Sequence, residues 1–83
     1  MNVIVWSKPN CVQCDATKRY LTKHEVPYEA REMTPDMIEE FKDKGFMSAP
    51  IVATGKDMWA GFRMSKLEGL VKEYKSEQIH KSA

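Results

Sequence analysis

The run Val3-Ile4-Val5-Trp6 carries β-branched and aromatic side chains with no polar residue among them. With Asn2 at its head it reads as a strand covered on both faces, since a strand with one wet face alternates. A chain of 83 residues has few ways to build that cover. At this length only roughly 60% of the unfolded surface is buried on folding, so the core is thin and each large apolar side chain counts. The remaining segments must pack on either side of this strand.

Their patterning shows how. Ser7-Lys8-Pro9-Asn10 is a turn cluster, and Cys11 to Lys23 holds no Gly or Pro and carries Asp15 early, which predicts a first helix. His24-Glu25-Val26-Pro27 interrupts it, and Tyr28 to Glu32 alternates as a short, half-buried second strand. Thr34-Pro35-Asp36 supplies an N-cap, a proline at the first helical position and an early acid, and Gly45 a C′ residue. A second helix therefore spans about Pro35 to Lys44, with Met37, Ile38 and Phe41 on one face. Pro50 lacks a ladder donor, so a third strand starts at or just after it and ends at Ala53. Thr54-Gly55-Lys56-Asp57 turns the chain into a fourth strand, Met58-Trp59-Ala60, which Gly61 ends. Ser65 and Glu68 read as a capping box opening a third helix that carries Leu67, Leu70, Val71 and Tyr74. Lys75 to Ala83 shows no periodic face, so the domain is expected over residues 1–75, with 76–83 a frayed tail.

The order is β-α-β-α-β-β-α. A right-handed crossover makes the first two strands parallel, and the short turn makes the last two antiparallel. Helices on both faces of a small four-stranded mixed sheet then bury the apolar run. Composition removes several partners. A net charge of +1 without a block of like charges gives no footprint for nucleic acid, and 42% hydrophobic content is too high for disorder. No apolar run approaches the roughly 20 residues that span a bilayer, and no secretory leader is evident, so a cytoplasmic protein is expected.

The two cysteines lie together in Cys11-Val12-Gln13-Cys14. A bridge between them closes too small a loop to stabilise a fold, so its purpose is chemical, and in a reducing compartment it cycles. The pair falls where the first strand passes into the first helix. Unpaired N–H groups and the positive end of the helix dipole favour a thiolate there and lower the thiol's pKa. Cys11, at the exposed edge, is the expected nucleophile, and Cys14, one turn inward, resolves the mixed disulfide. Lys8 and Lys18 are candidates for tuning the Cys11 thiolate, against the reading that both are merely solvated. Zinc would need two further ligands, and His24 and His80 lack the spacing of a second pair, so no metal or cofactor is expected. Inert structural cysteines are the remaining alternative.

Ala49-Pro50 opens a strand near the cysteine loop: it is either a plain edge proline or a cis bond that presents backbone groups to a substrate chain. Trp59-Ala60-Gly61-Phe62-Arg63 reads as core aromatics followed by a surface cation.

Taken together, Cys11-Val12-Gln13-Cys14, Ala16-Thr17-Lys18-Arg19, Gly45-Phe46, Ala49-Pro50-Ile51-Val52 and Trp59-Ala60-Gly61-Phe62-Arg63 resemble the NrdH-redoxins, small glutaredoxin-like proteins of the thioredoxin fold. The resemblance runs from Val3 to about Leu70. It implies that Cys11 and Cys14 are the redox pair, that Pro50 is a cis-proline, and that Trp59, Phe62 and Arg63 order the loop before the last helix by hydrogen bonding. Val12, Gln13, Ala49, Pro50, Trp59 and Gly61 become the expected partner-binding residues. The implied function is electron donation to the large subunit of class Ib ribonucleotide reductase, with recharging by thioredoxin reductase. Two positions depart from the usual W-S-G-F-R-P: Ala60 lacks the hydroxyl and Met64 replaces the proline. A glutathione-dependent glutaredoxin would carry C-P-Y-C and acids after the glycine, where this chain has Phe62-Arg63-Met64-Ser65. Thioredoxin would carry W-C-G-P-C and a buried Asp where Val5 stands. A docking module with an idle cysteine pair is the alternative from another class.

Overall fold

The computed structural model describes the backbone of residues 2–82 and the side chains of residues 2–77. Its elements are β1 (Ile4–Ser7), α1 (Val12–Lys23), β2 (Glu29–Glu32), α2 (Pro35–Asp43), β3 (Ile51–Ala53), β4 (Met58–Ala60) and α3 (Met64–Ser82). The sheet has four strands in the order β2-β1-β3-β4, so the apolar run is an interior strand as its composition demands. It pairs parallel with β2 and antiparallel with β3, and β3 pairs antiparallel with β4. This is the thioredoxin fold.

Register assigns the two faces. Val5 lies opposite Val52, and Val52 opposite Trp59, so the three share one face. There they join Val3, Leu21 of α1, and Leu67, Leu70 and Val71 of α3 in one buried cluster. On the other face Trp6 lies opposite Ile51 and meets the Phe41 ring of α2 edge-on, with centroids 5.4 Å apart. The second strand differs from expectation: all of β2 is exposed. As an edge strand it has one neighbour, and its Arg31 pairs with Glu29 while the guanidinium lies 6.0 Å from the Trp6 ring centre.

Two helices stop in the same way. At the end of α2, Phe46 N–H donates to the Phe41 carbonyl and Gly45 N–H to the Lys42 carbonyl, with Gly45 at φ 90°. This pair of bonds makes Gly45 the C′ residue that the sequence predicts. At the end of α1 the same bonds run from Val26 to Leu21 and from Glu25 to Thr22, yet the left-handed position, φ 59°, is filled by Glu25. A side chain in that conformation costs roughly 1–2 kcal/mol, of which glycine's larger unfolded entropy returns part. Glu25→Gly is therefore expected to raise stability by about 1 kcal/mol, read as a higher denaturation midpoint at unchanged slope; a lower midpoint would refute the strain.

The third helix departs from the sequence reading at both ends. It starts at Met64, and Leu67 N–H donates to the Arg63 carbonyl at 3.0 Å, so Arg63 stands at the cap position and Ser65 lies inside the first turn. The capping box does not form. Beyond Tyr74 the helix continues to Ser82, because no Gly or Pro interrupts it and Lys, Glu and Gln sustain it. The side chains of Ile79 and His80 lie outside the described residues. The hairpin that closes β3 onto β4 is tied to α3: Lys66 Nζ donates to Asp57 at 2.7 Å, and Met58 N–H donates to its other carboxylate oxygen at 2.8 Å. The Lys66 bond, with the Met58 N–H, holds the Asp57 carboxyl below the usual carboxylate range.

Candidate active site

The chain leaves β1 at Ser7, turns through Lys8 to Asn10, and enters α1 at Cys11. Asn10 takes φ 58°, a conformation its short polar side chain tolerates, and this turn brings Cys11 onto the helix axis as N-cap. The thiol then does what a capping oxygen does: Cys11 Sγ accepts from the Cys14 N–H at 3.1 Å. The two sulfurs are joined in a disulfide, with Cα atoms 5.2 Å apart. In the reduced protein the same N–H and the helix dipole act on the Cys11 sulfur, and both favour its thiolate. Burial separates the roles. Cys11 is half-buried while Cys14 is 1% exposed, so only Cys11 presents its sulfur to a substrate disulfide.

The Ala49–Pro50 peptide bond is cis, and Pro50 is fully buried. Its carbonyl accepts from Gly61 N–H at 2.7 Å, which ties the cis-proline turn to the end of β4. One bond further, Phe62 N–H donates to Gln13 Oε1 at 3.3 Å. Gln13, expected to meet partners, thus links the cysteine loop to the Gly61–Phe62 turn. Gly61 has φ 84°, and a Cβ there would stand 3.5 Å from that same Oε1. The loop before α3 is tied by the backbone N–H groups of Gly61 and Phe62, while the buried Trp59 indole N–H has no hydrogen-bond partner among the described residues. Ala60 therefore forfeits nothing in these bonds by lacking a hydroxyl.

The residues expected to meet partners differ in exposure. Ala49, Pro50 and Trp59 are buried, Trp59 being 4% exposed within the core cluster, so their side chains pack inward. The exposed apolar side chains are Val12 at 82%, Met47 at 78% and Met64 at 43%. Val12 sits between the cysteines, Met47 in the loop before the cis-proline, and Met64 at the start of α3. The two lysines separate as well. Lys8 borders a groove beside Phe41, Phe46 and Ala49, on the α2 side of the sheet. Lys18 donates through Nζ to Ser7 Oγ at 3.1 Å. His24 packs on the Tyr20 ring at the far end of α1, with centroids 4.4 Å apart. Among the described residues no group of three or more His, Cys, Asp or Glu side chains could hold a metal, and no helix is long and apolar enough to cross a membrane.

Gln13 and Ser7 are the site residues whose roles sequence reasoning missed. Gln13 acts on a residue far along the chain, so spacing holds no signal for it. Ser7 was legible only as part of a turn.

A family model described as glutaredoxin matches residues 3–59. The glutaredoxin-like protein NrdH of Lactococcus lactis strain IL1403 is 34% identical over 70 residues, covering 82% of this chain and 97% of the relative. NrdH of Salmonella typhimurium strain LT2 is 32% identical over 72 residues, covering 84% and 89%. Among solved structures, NrdH-redoxin from Escherichia coli superposes with a TM-score of 0.78 at 30% identity, over 84% of this chain and 95% of that one. That relative is described as glutaredoxin-like with a thioredoxin-like activity profile.

Proposed function

The chain belongs to the NrdH-type glutaredoxin-like proteins, a family of thiol–disulfide oxidoreductases, and from that premise we propose that it donates electrons to class Ib ribonucleotide reductase and is recharged by thioredoxin reductase. The Cys11 thiolate attacks a disulfide of the reductase's large subunit, Cys14 releases it, and the resulting Cys11–Cys14 disulfide is reduced by the flavoprotein at the expense of NADPH. A pair that cycles in this way works in the reducing cytoplasm.

One observation carries the choice of electron source. After Gly61 the surface presents the Arg63 cation where a glutathione site places acids for the tripeptide's α-amino group, and like charges in that position disfavour the ligand. Protein partners need only the half-buried Cys11 sulfur and exposed apolar side chains, of which Val12 lies next to Cys11 and Met47 in the loop before the cis-proline. The thioredoxin-like activity profile of the Escherichia coli relative agrees with this choice. The test is NADPH consumption with one disulfide substrate in two coupled assays. Thioredoxin reductase is expected to sustain turnover, and glutathione with glutathione reductase is not. Comparable or faster turnover with glutathione would make the protein a glutathione-dependent glutaredoxin.

A further inference from the structure

We propose that Lys18, held by Ser7, is the cation that stabilises the Cys14 thiolate in the resolving step; this rests on the dithiol mechanism above and adds a residue to it. Cys14 poses the difficulty. A thiol that is 1% exposed is hard to ionise, because desolvation penalises the thiolate, and its own backbone N–H is spent on Cys11 Sγ.

Lys18 lies one helical turn beyond Cys14 on α1, a spacing that makes two side chains neighbours, with Cβ atoms roughly 5–6 Å apart. Long helical side chains lean toward the helix N-terminus, so the Lys18 stem runs back over the turn that carries Cys14. Its ammonium is anchored there. Ser7 Oγ accepts from Nζ at 3.1 Å, and Ser7, 7% exposed, ends β1 on the sheet face shared with the buried Val5. No carboxylate pairs with Lys18 among the described residues; Asp15, on the preceding turn, is exposed and makes no ion pair with it. The positive charge is therefore not neutralised by an ion pair, and the half-buried Lys18 stem holds it against the end of β1. On this placement Lys18 acts on the resolving thiol, whereas the sequence suggested an effect on Cys11. Ser7 is the positioning residue.

In the mixed disulfide Cys11 Sγ is bonded to the substrate sulfur. Cys14 gives its proton to solvent, and the thiolate, stabilised by the Lys18 ammonium, attacks Cys11 Sγ. The Cys11–substrate bond breaks, the electron pair leaves on the substrate sulfur, and that sulfur takes up a proton. Over the two half-reactions together the protein is oxidised by two electrons and the substrate disulfide reduced by two.

A symmetric aromatic disulfide with a coloured leaving thiol separates the two half-reactions, since attack by Cys11 releases one equivalent and resolution by Cys14 the second. Stopped-flow mixing with reduced Lys18→Gln is expected to leave the first phase unchanged and slow the second about three- to tenfold, the lost thiolate fraction being partly offset by higher nucleophilicity. Lys18→Arg should restore the second phase and Ser7→Ala should slow it less than Lys18→Gln does. A second phase in Lys18→Gln as fast as in the wild type overturns the proposal, and so does equal slowing of both phases. Absence of any first phase in the wild-type protein would instead overturn the dithiol mechanism itself.

Discussion

Replacing Cys14 by Ser is expected to lock the protein onto its substrate through Cys11, while replacing Cys11 by Ser abolishes turnover. The asymmetry follows from burial and capping. Cys11 is the half-buried N-cap whose sulfur accepts the Cys14 N–H, and that bond uses backbone, so it survives the Cys14→Ser change. Attack on a disulfide then proceeds normally, and the adduct persists because a buried hydroxyl is no nucleophile at neutral pH. In Cys11→Ser the remaining thiol is 1% exposed and lies beneath the surface. Mass spectrometry after mixing with a disulfide substrate checks both variants: the Cys14→Ser protein should carry one substrate equivalent, released by dithiothreitol, and the Cys11→Ser protein none. An adduct on the Cys11→Ser protein would reverse the assignment of roles.

Much of this site was legible in the sequence, and the parts that were not share a cause. The unbroken Val3–Trp6 run announces an interior strand because hydrophobic cover on both faces leaves no room for a polar side chain. Thr34-Pro35 and Gly45 mark the ends of α2 because capping chemistry is local: Thr34 Oγ1 accepts from Met37 N–H at 3.3 Å, and Gly45 takes the left-handed turn. Glu25 performs the same duty at the end of α1, and nothing in a glutamate advertises it. The start of α3 was misplaced because Ser65 and Glu68 fit a capping pattern, whereas the Gly61 turn, fixed by the Pro50 carbonyl, delivers the chain to the helix two residues sooner. Trp59 illustrates the limit of motif reading. Its place in a recognisable segment suggested a surface for partners, but register opposite Val52 commits the ring to the core. The Gln13 contact with Phe62 and the Lys18 contact with Ser7 are tertiary, and sequence spacing carries no trace of either.

Exchange at this site depends on Cys11 being a thiolate prepared by the start of α1. An ordinary cysteine titrates near about 8.5, so at neutral pH only a few per cent of it is nucleophilic. Here the N-cap position brings the Cys14 N–H to 3.1 Å from the sulfur and sets it at the positive end of the helix dipole. Both interactions are stronger with the charged form than with the neutral one, so the thiol's titration moves downward. The exposed Asp15 in the first turn opposes this, but its charge is screened by solvent. The most direct measurement is the rate of alkylation by iodoacetamide against pH for the reduced Cys14→Ser variant, in which Cys11 is the single thiol. The rate is predicted to rise and level off with a midpoint clearly below that of free cysteine measured alongside. A midpoint at or above that of free cysteine would contradict the claim that the helix start activates Cys11.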